Sequence, residues 1–111
     1  MGDEDEVLRP AFRVVAESAL ADSHEDKDDD ARRRRLRVGH LVTKEEVRET
    51  LRRLYLAGLF AQETAFLRRW CAELGVRGYS KMRRRTLQET ILTQAAEEMV
   101  RTGWRPDWLR L

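Results

Sequence analysis

The sequence has little of several residue types, and each shortage excludes a class of protein. Its single cysteine excludes an internal disulfide, and its two histidines have no further ligand at a metal-binding spacing. No run approaches the roughly 18 consecutive apolar residues of a membrane span, and the acidic first residues are opposite in charge to a secretory signal. We therefore expect an intracellular protein, cytoplasmic or nuclear, that has no metal, cofactor or membrane partner.

Sequence motifs of catalysis are also missing. There is no phosphate-cradling glycine loop, no zinc-protease helix and no nucleophile elbow. The neighbouring acids Glu45–Glu46 and Glu97–Glu98 fall on helix faces that we expect to be exposed. The sequence therefore predicts a protein that is not an enzyme and has no small-molecule substrate.

Charge is abundant and unevenly distributed. Charged residues make up 38% of the chain, yet the net charge is only +2. Residues 1–31 hold eleven acids and three bases, whereas the remainder holds 19 bases and nine acids. Such asymmetry is typical of an acidic tail joined to a basic body that binds anions.

Apolar residues recur at helical spacing in four segments, which predicts an all-α bundle of three to four helices. The first helix is expected over residues 7–21, with Leu8, Phe12, Val15 and Ala19 on one face. The others are expected over 43–60, 62–74 and 82–102. Thr43 and Glu46 have the spacing of a capping box, while Gly75 and Gly103 are positioned to end helices.

The run from 22 to 31 has almost no apolar side chain to order it, which predicts a linker. We accordingly divide the chain into an acidic N-terminal arm, residues 1–37, and a helical domain, residues 38–111. The arm is expected to be removable by proteolysis, leaving a folded fragment that starts near Arg37. In the helical domain, Trp70 is expected to be structural, and Trp104, Trp108 and Leu109 are expected to cover the end of the core.

Residues 67–91 resemble the helix, extended loop, helix motif of SAP domains and of the N-terminal domain of the Rho transcription terminator. The central match is the loop Gly78-Tyr-Ser-Lys-Met-Arg83, between a helix that ends at Gly75 and a second helix carrying Leu87 and Ile91. The sequence departs from the pattern at Arg85-Thr86, where the families usually have Lys and then a polar or acidic residue. SAP domains bind DNA, so the resemblance implies nucleic-acid contact through this loop and helix start.

The residues themselves support the same interpretation. A helix N-terminus attracts anions, and five bases lie within nine residues of this one. We expect Tyr79 to pack against the helices more readily than to stack on a base. The predicted nucleic-acid site is Arg77, Tyr79, Ser80, Lys81, Arg83, Arg84 and Arg85.

Two alternatives stay open at this point. A second basic patch, at Arg32, Arg33, Arg34, Arg35 and Arg37, fits either nucleic-acid contact or simple pairing with the acids that precede it. The whole chain also fits a protein-interaction adaptor or accessory protein, a viral one included, that docks through its amphipathic helices and tryptophan-rich tail. The partner is then DNA or RNA in one interpretation and a protein in the other.

Overall fold

The computed structural model describes residues 3–20, 22 and 43–109. Within those ranges the chain forms four α-helices and no strand, so the prediction of an all-α bundle is confirmed. Helix α1 is Asp3–Ala16, α2 is Lys44–Arg53, α3 is Thr64–Glu73 and α4 is Arg84–Thr102. A π-helical turn, Leu54–Leu59, continues α2, and a 3-10 turn, Tyr79–Lys81, precedes α4.

Helix α1 begins and ends earlier than its sequence pattern predicts. Its first four residues are all acids, which the positive end of the helix dipole favours. Because of this early start, Pro10 lies inside the helix and not in its first turn. Proline has no backbone N–H, so this position lacks the hydrogen bond to the preceding turn. The predicted apolar face is confirmed for Leu8 and Val15, which are buried, and for Phe12, which packs against the core, whereas Ala19 lies outside the helix and is exposed.

The same helix contradicts the description of an arm separate from the domain. Val7, Leu8, Ala11 and Val15 are buried in the same core as residues of α2, α3 and α4. Helix α1 packs most extensively on α4. The folded unit therefore includes residues 3–16, and a fragment starting near Arg37 would lose one side of its core. Most of the predicted linker lies outside the described residues.

Helix α2 starts where the capping box predicts. The hydroxyl of Thr43 accepts a hydrogen bond from the backbone N–H of Glu46 at 3.2 Å. Glu46 itself is only 8% exposed, so the expectation that the Glu45–Glu46 pair lies on a solvated face is wrong for this residue. Glu46 shares the buried face of α2 with Val47 and Thr50, whereas Glu45 remains exposed.

Helix α4 forms the centre of the bundle. Its predicted stripe is confirmed, because six of its side chains have no exposed surface: Leu87, Ile91, Leu92, Ala95, Ala96 and Met99. The helix ends at Gly103, which has φ of 71° and donates its N–H to the carbonyl of Met99 at 2.8 Å. A left-handed residue at this position is the usual way to satisfy the last carbonyls of a helix.

The tail after α4 covers the core only in part. Trp108 packs its ring edge-to-face with Trp70, and Leu109 is buried, as the sequence predicts. Trp104 is instead 46% exposed, which contradicts its predicted covering role. It directly follows the turn at Gly103, where the chain leaves the helix axis, and its backbone N–H bonds to the hydroxyl of Thr102 at 3.1 Å.

Candidate nucleic-acid interface

The loop between α3 and α4 begins with a fully formed helix stop. The N–H of Val76 donates to the carbonyl of Cys71 at 3.0 Å, and the N–H of Gly75 donates to that of Ala72 at 3.1 Å. This pair of bonds is a Schellman motif, and it requires the left-handed φ of 76° that Gly75 adopts. The loop therefore leaves α3 in a defined direction.

A second left-handed glycine, Gly78, starts the 3-10 turn that leads into α4. The N–H of Lys81 bonds to the carbonyl of Gly78 at 3.2 Å, and that of Met82 bonds to the carbonyl of Tyr79 at 3.1 Å. The side chains of Tyr79 and Met82 are half-buried and pack against the core. The prediction that Tyr79 packs is therefore confirmed, and its ring anchors the turn.

The remaining polar side chains of the turn point outward. Arg77, Ser80, Lys81 and Arg83 are all exposed. No acid in the described part of the chain forms an ion pair with Arg77, Lys81 or Arg83. These three bases, which we call the loop bases, therefore carry charge that the described residues leave uncompensated.

The start of α4 is suited to an anion. Arg83 is its N-cap, with extended backbone, and no side chain caps the helix there. The first turn of the helix contains no acid. The first N–H groups of a helix have no partner within it and carry the positive end of the dipole. This end of α4 thus combines backbone donors that have no partner within the helix with exposed bases on the residues just before it.

Arg84 has a different role from its basic neighbours. Its guanidinium donates to the carbonyl of Phe60 at 2.5 Å and to the carbonyl of Gln62. The amide of Gln88, one turn further on, donates to the carbonyl of Leu59 at 3.1 Å. Carbonyls at the end of a helix lack hydrogen-bond partners within that helix. Here side chains from the first two turns of α4 donate to the carbonyls at and just after the end of the π-helical turn. Arg84 therefore holds two elements together.

Arg85 lies in contact with two acids. It forms an ion pair with Glu6 of α1, and its Nε lies 3.3 Å from a carboxylate oxygen of Glu89. Both side chains of the Arg85–Glu6 pair are about half exposed, 49% and 51%. Any phosphate that Arg85 binds must therefore compete with a carboxylate.

The structure thus separates the predicted site residues into three groups. The loop bases and Ser80 face solvent, Tyr79 and Arg84 stabilise the local fold, and Arg85 is paired with acids. The predicted patch at Arg32, Arg33, Arg34, Arg35 and Arg37 lies outside the described residues.

Three further observations bear on the class of site. Among the described residues, no group of three or more His, Cys, Asp or Glu could hold a metal ion, and His24 and His40 lie outside that part of the chain. Burial raises the pKa of the Cys71 thiol, which keeps it protonated and unreactive. No helix in the described ranges is both long and apolar enough to cross a membrane.

Sequence reasoning missed two residues at this end of the bundle. The sequence indicates Glu6 only as one of the acids near the N-terminus, and Phe60 only as the last residue of the helix expected over 43–60. Phe60 is 60% exposed, although its carbonyl is held by Arg84. Neither role has a local signal, since each partner is more than 20 positions away along the chain.

Comparison with known proteins identified no relative of this chain. No family model matches the chain, and neither the curated proteins nor the solved structures contain a match.

Proposed function

We propose that this protein is a nucleic-acid-binding helical module that contacts phosphates through Arg77, Lys81 and Arg83 and through the backbone N–H groups at the start of α4. The observation that carries the proposal is the combination of exposed bases without an acidic partner among the described residues and a helix N-terminus without an acid in its first turn. The role is one of binding and not of catalysis. Contacts of this kind position a protein on the phosphate backbone without reading its sequence.

Chemistry favours phosphate over other anions at this place. A guanidinium presents a planar fork of donors that matches phosphate oxygens, and two of the three loop bases are arginines. Backbone N–H groups at a helix start add a fixed positive field. A ligand with regularly spaced phosphates engages all of these groups at once, whereas a single carboxylate engages one.

The resemblance to SAP domains supports the same proposal. The structure has a helix, Thr64–Glu73, a loop that contains the 3-10 turn, and a second helix, Arg84–Thr102, at the positions of the matched residues. In SAP domains the corresponding loop and helix start bind DNA. Under this proposal the loop bases take that role here.

The test is a fluorescence-anisotropy titration against duplex DNA, single-stranded DNA and RNA at several salt concentrations. Three phosphate contacts predict that log affinity falls with log salt with a slope of about −2 to −3, the shallower value applying to single strands. The variant Arg77→Gln/Lys81→Gln/Arg83→Gln should flatten that slope to near zero. It should also keep its fold, because all three side chains are exposed.

The matched control is Arg13→Gln/Arg53→Gln/Arg105→Gln, which removes the same charge from exposed arginines elsewhere. We expect the control to bind nearly as wild type does. Equal losses of affinity in the two variants would indicate that nucleic acid is attracted by the net charge of the protein and not by the loop bases. A folded loop-base variant that binds all three ligands as wild type does would contradict the proposal.

One observation favours the alternative, a protein-interaction adaptor. In the described part of the chain, three large apolar side chains remain exposed, Leu56 at 56%, Phe60 at 60% and Trp104 at 46%. A groove is lined by Leu56 and Ala57 of the π-helical turn together with Arg53 and Arg105. An apolar groove edged by arginines fits an acidic, apolar segment of a partner protein. A pull-down with and without nuclease distinguishes the two functions, because only a protein partner remains bound after nuclease treatment.

A further inference from the structure

A small cavity lies on α3 where the C-terminal tail crosses it. Its volume is about 190 Å³, and its lining consists of Phe66, Arg69, Trp70, Glu73 and Trp108. Pockets for drug-sized ligands span roughly 300–1,000 Å³, so this cavity is suited to a small group or the end of a side chain. It is formed by residues other than those of the proposed nucleic-acid interface.

The ring of Trp70 meets two other aromatic rings nearly at right angles. It lies at 80° to that of Phe66, with centroids 5.9 Å apart, and at 85° to that of Trp108, with centroids 6.1 Å apart. Two rings perpendicular to a third form the walls of a box, which fits a compact, rounded group. We call this cavity the aromatic box.

The aromatic rings and Glu73 of the box favour a cation, and Arg69, which also lines the box, opposes one. The face of each aromatic ring is the negative end of its quadrupole, and the exposed carboxylate of Glu73 lies at the edge of the cavity. Glu73 makes no ion pair or hydrogen bond with a described residue. A single carboxylate is too few oxygen ligands for Ca²⁺ or Mg²⁺, which leaves a weakly hydrated organic cation.

We propose that the aromatic box binds a methylated ammonium group, with Phe66, Trp70 and Trp108 as its walls and Glu73 as its charge partner. The site is independent of the proposed nucleic-acid interface, and neither depends on the other. A free quaternary amine and a methylated lysine side chain share this chemistry. Arg69, on the same edge of the box, is a like charge that weakens binding.

The test compares choline with 3,3-dimethylbutan-1-ol, which has the same shape and no charge. Binding to the full chain is followed by NMR through the indole N–H signals of its three tryptophans. Choline should shift the signals of Trp70 and Trp108 and leave that of Trp104 unchanged, since Trp104 does not line the box. Cation–π attraction predicts that choline binds about tenfold more tightly than the alcohol.

Peptides distinguish the two sources of the cation. One peptide carries trimethyllysine and the other carries unmodified lysine at the same position. Sodium chloride keeps the ionic strength equal in all titrations. Tighter binding of the methylated peptide than of choline identifies a modified protein tail as the ligand. Tighter binding of choline identifies a free amine. Either result supports the box as a site for methylated ammonium.

Variants test the role of each side chain. Trp108→Ala removes a wall and should abolish the shifts, while Glu73→Gln should weaken choline binding several-fold and Arg69→Gln should strengthen it. Trp104→Ala is the control and should bind as wild type does. Glu73 and Arg69 are exposed, so their variants stay folded even if Trp108→Ala does not. Equal affinity for choline and the alcohol, or no effect of Glu73→Gln on choline, would overturn the proposal.

Discussion

Helices α1 and α4 lie side by side with their N-termini at the same end of the bundle, and those two N-termini are opposite in charge. The first four residues of α1 are acids, whereas α4 begins with Arg83, Arg84 and Arg85 and has no acid in its first turn. The ion pair between Glu6 and Arg85 joins the two helix starts. The positive dipole end of α1 is therefore offset by acids of its own helix, whereas the start of α4 receives one carboxylate, that of Glu6, from α1.

This difference shows why the net charge of the N-terminal segment is a poor guide to its role. Its acids look like a solvated tail, yet Val7, Leu8, Ala11 and Val15 of the same helix are buried. Asp5 and Glu6 are exposed at the start of α1, just before its buried residues begin at Val7. The same helix therefore supplies core packing and one carboxylate to the proposed interface.

The largest effect is expected from removing α1. Deleting residues 1–16 exposes the core face of α4, and burial of Val7, Leu8 and Val15 contributes roughly 5–9 kcal/mol at the usual values for such side chains. That is comparable to the whole free energy of unfolding of a small domain. We expect the fragment to lose cooperative melting, measured by circular dichroism. A fragment that melts cooperatively would contradict this expectation and support the original prediction of a removable N-terminal arm.

A smaller effect is expected at the start of α4, where neighbouring arginines have different roles. Arg84→Gln loses the hydrogen bonds to the carbonyls of Phe60 and Gln62 and should cost roughly 1–3 kcal/mol. Arg83→Gln is the matched control and should change stability by less than about 0.5 kcal/mol, because its side chain is exposed. Urea denaturation of both variants measures the difference. Equal stabilities would show that the carbonyls at the end of the π-helical turn do not need Arg84.

The smallest effect on stability is expected for Glu6→Gln. An exposed ion pair is worth about 0.2–1 kcal/mol, so unfolding should change little. Arg85 then becomes available to phosphate, and the slope of log affinity against log salt should steepen by somewhat under one unit. Glu98→Gln removes the same charge by breaking the Arg101–Glu98 pair, 2.7 Å long, in the last turns of α4. An equal change of slope in this control would rule out a specific role for Glu6.

Local sequence signals predicted the elements well where the physical cause is local. A capping side chain three residues from its N–H, a glycine at a left-handed helix stop and an apolar stripe each act within a turn or two of one helix. For that reason Thr43, Gly75, Gly103 and the buried face of α4 were predicted correctly. Exposure of the loop bases follows from the same logic, since charged side chains remain solvated unless they find a partner.

The sequence by itself determined the all-α class, the helix stops and the cluster of bases before α4. Tertiary structure alone decided which of those bases have partners among the described residues, because Arg84 and Arg85 find theirs at Phe60 and Glu6, far away along the chain. It also decided that α1 belongs to the core and that Trp108 joins Phe66 and Trp70 in one cavity. Such contacts depend on how the helices pack against one another. The pattern of residues within one helix does not show which residue of another helix it will contact.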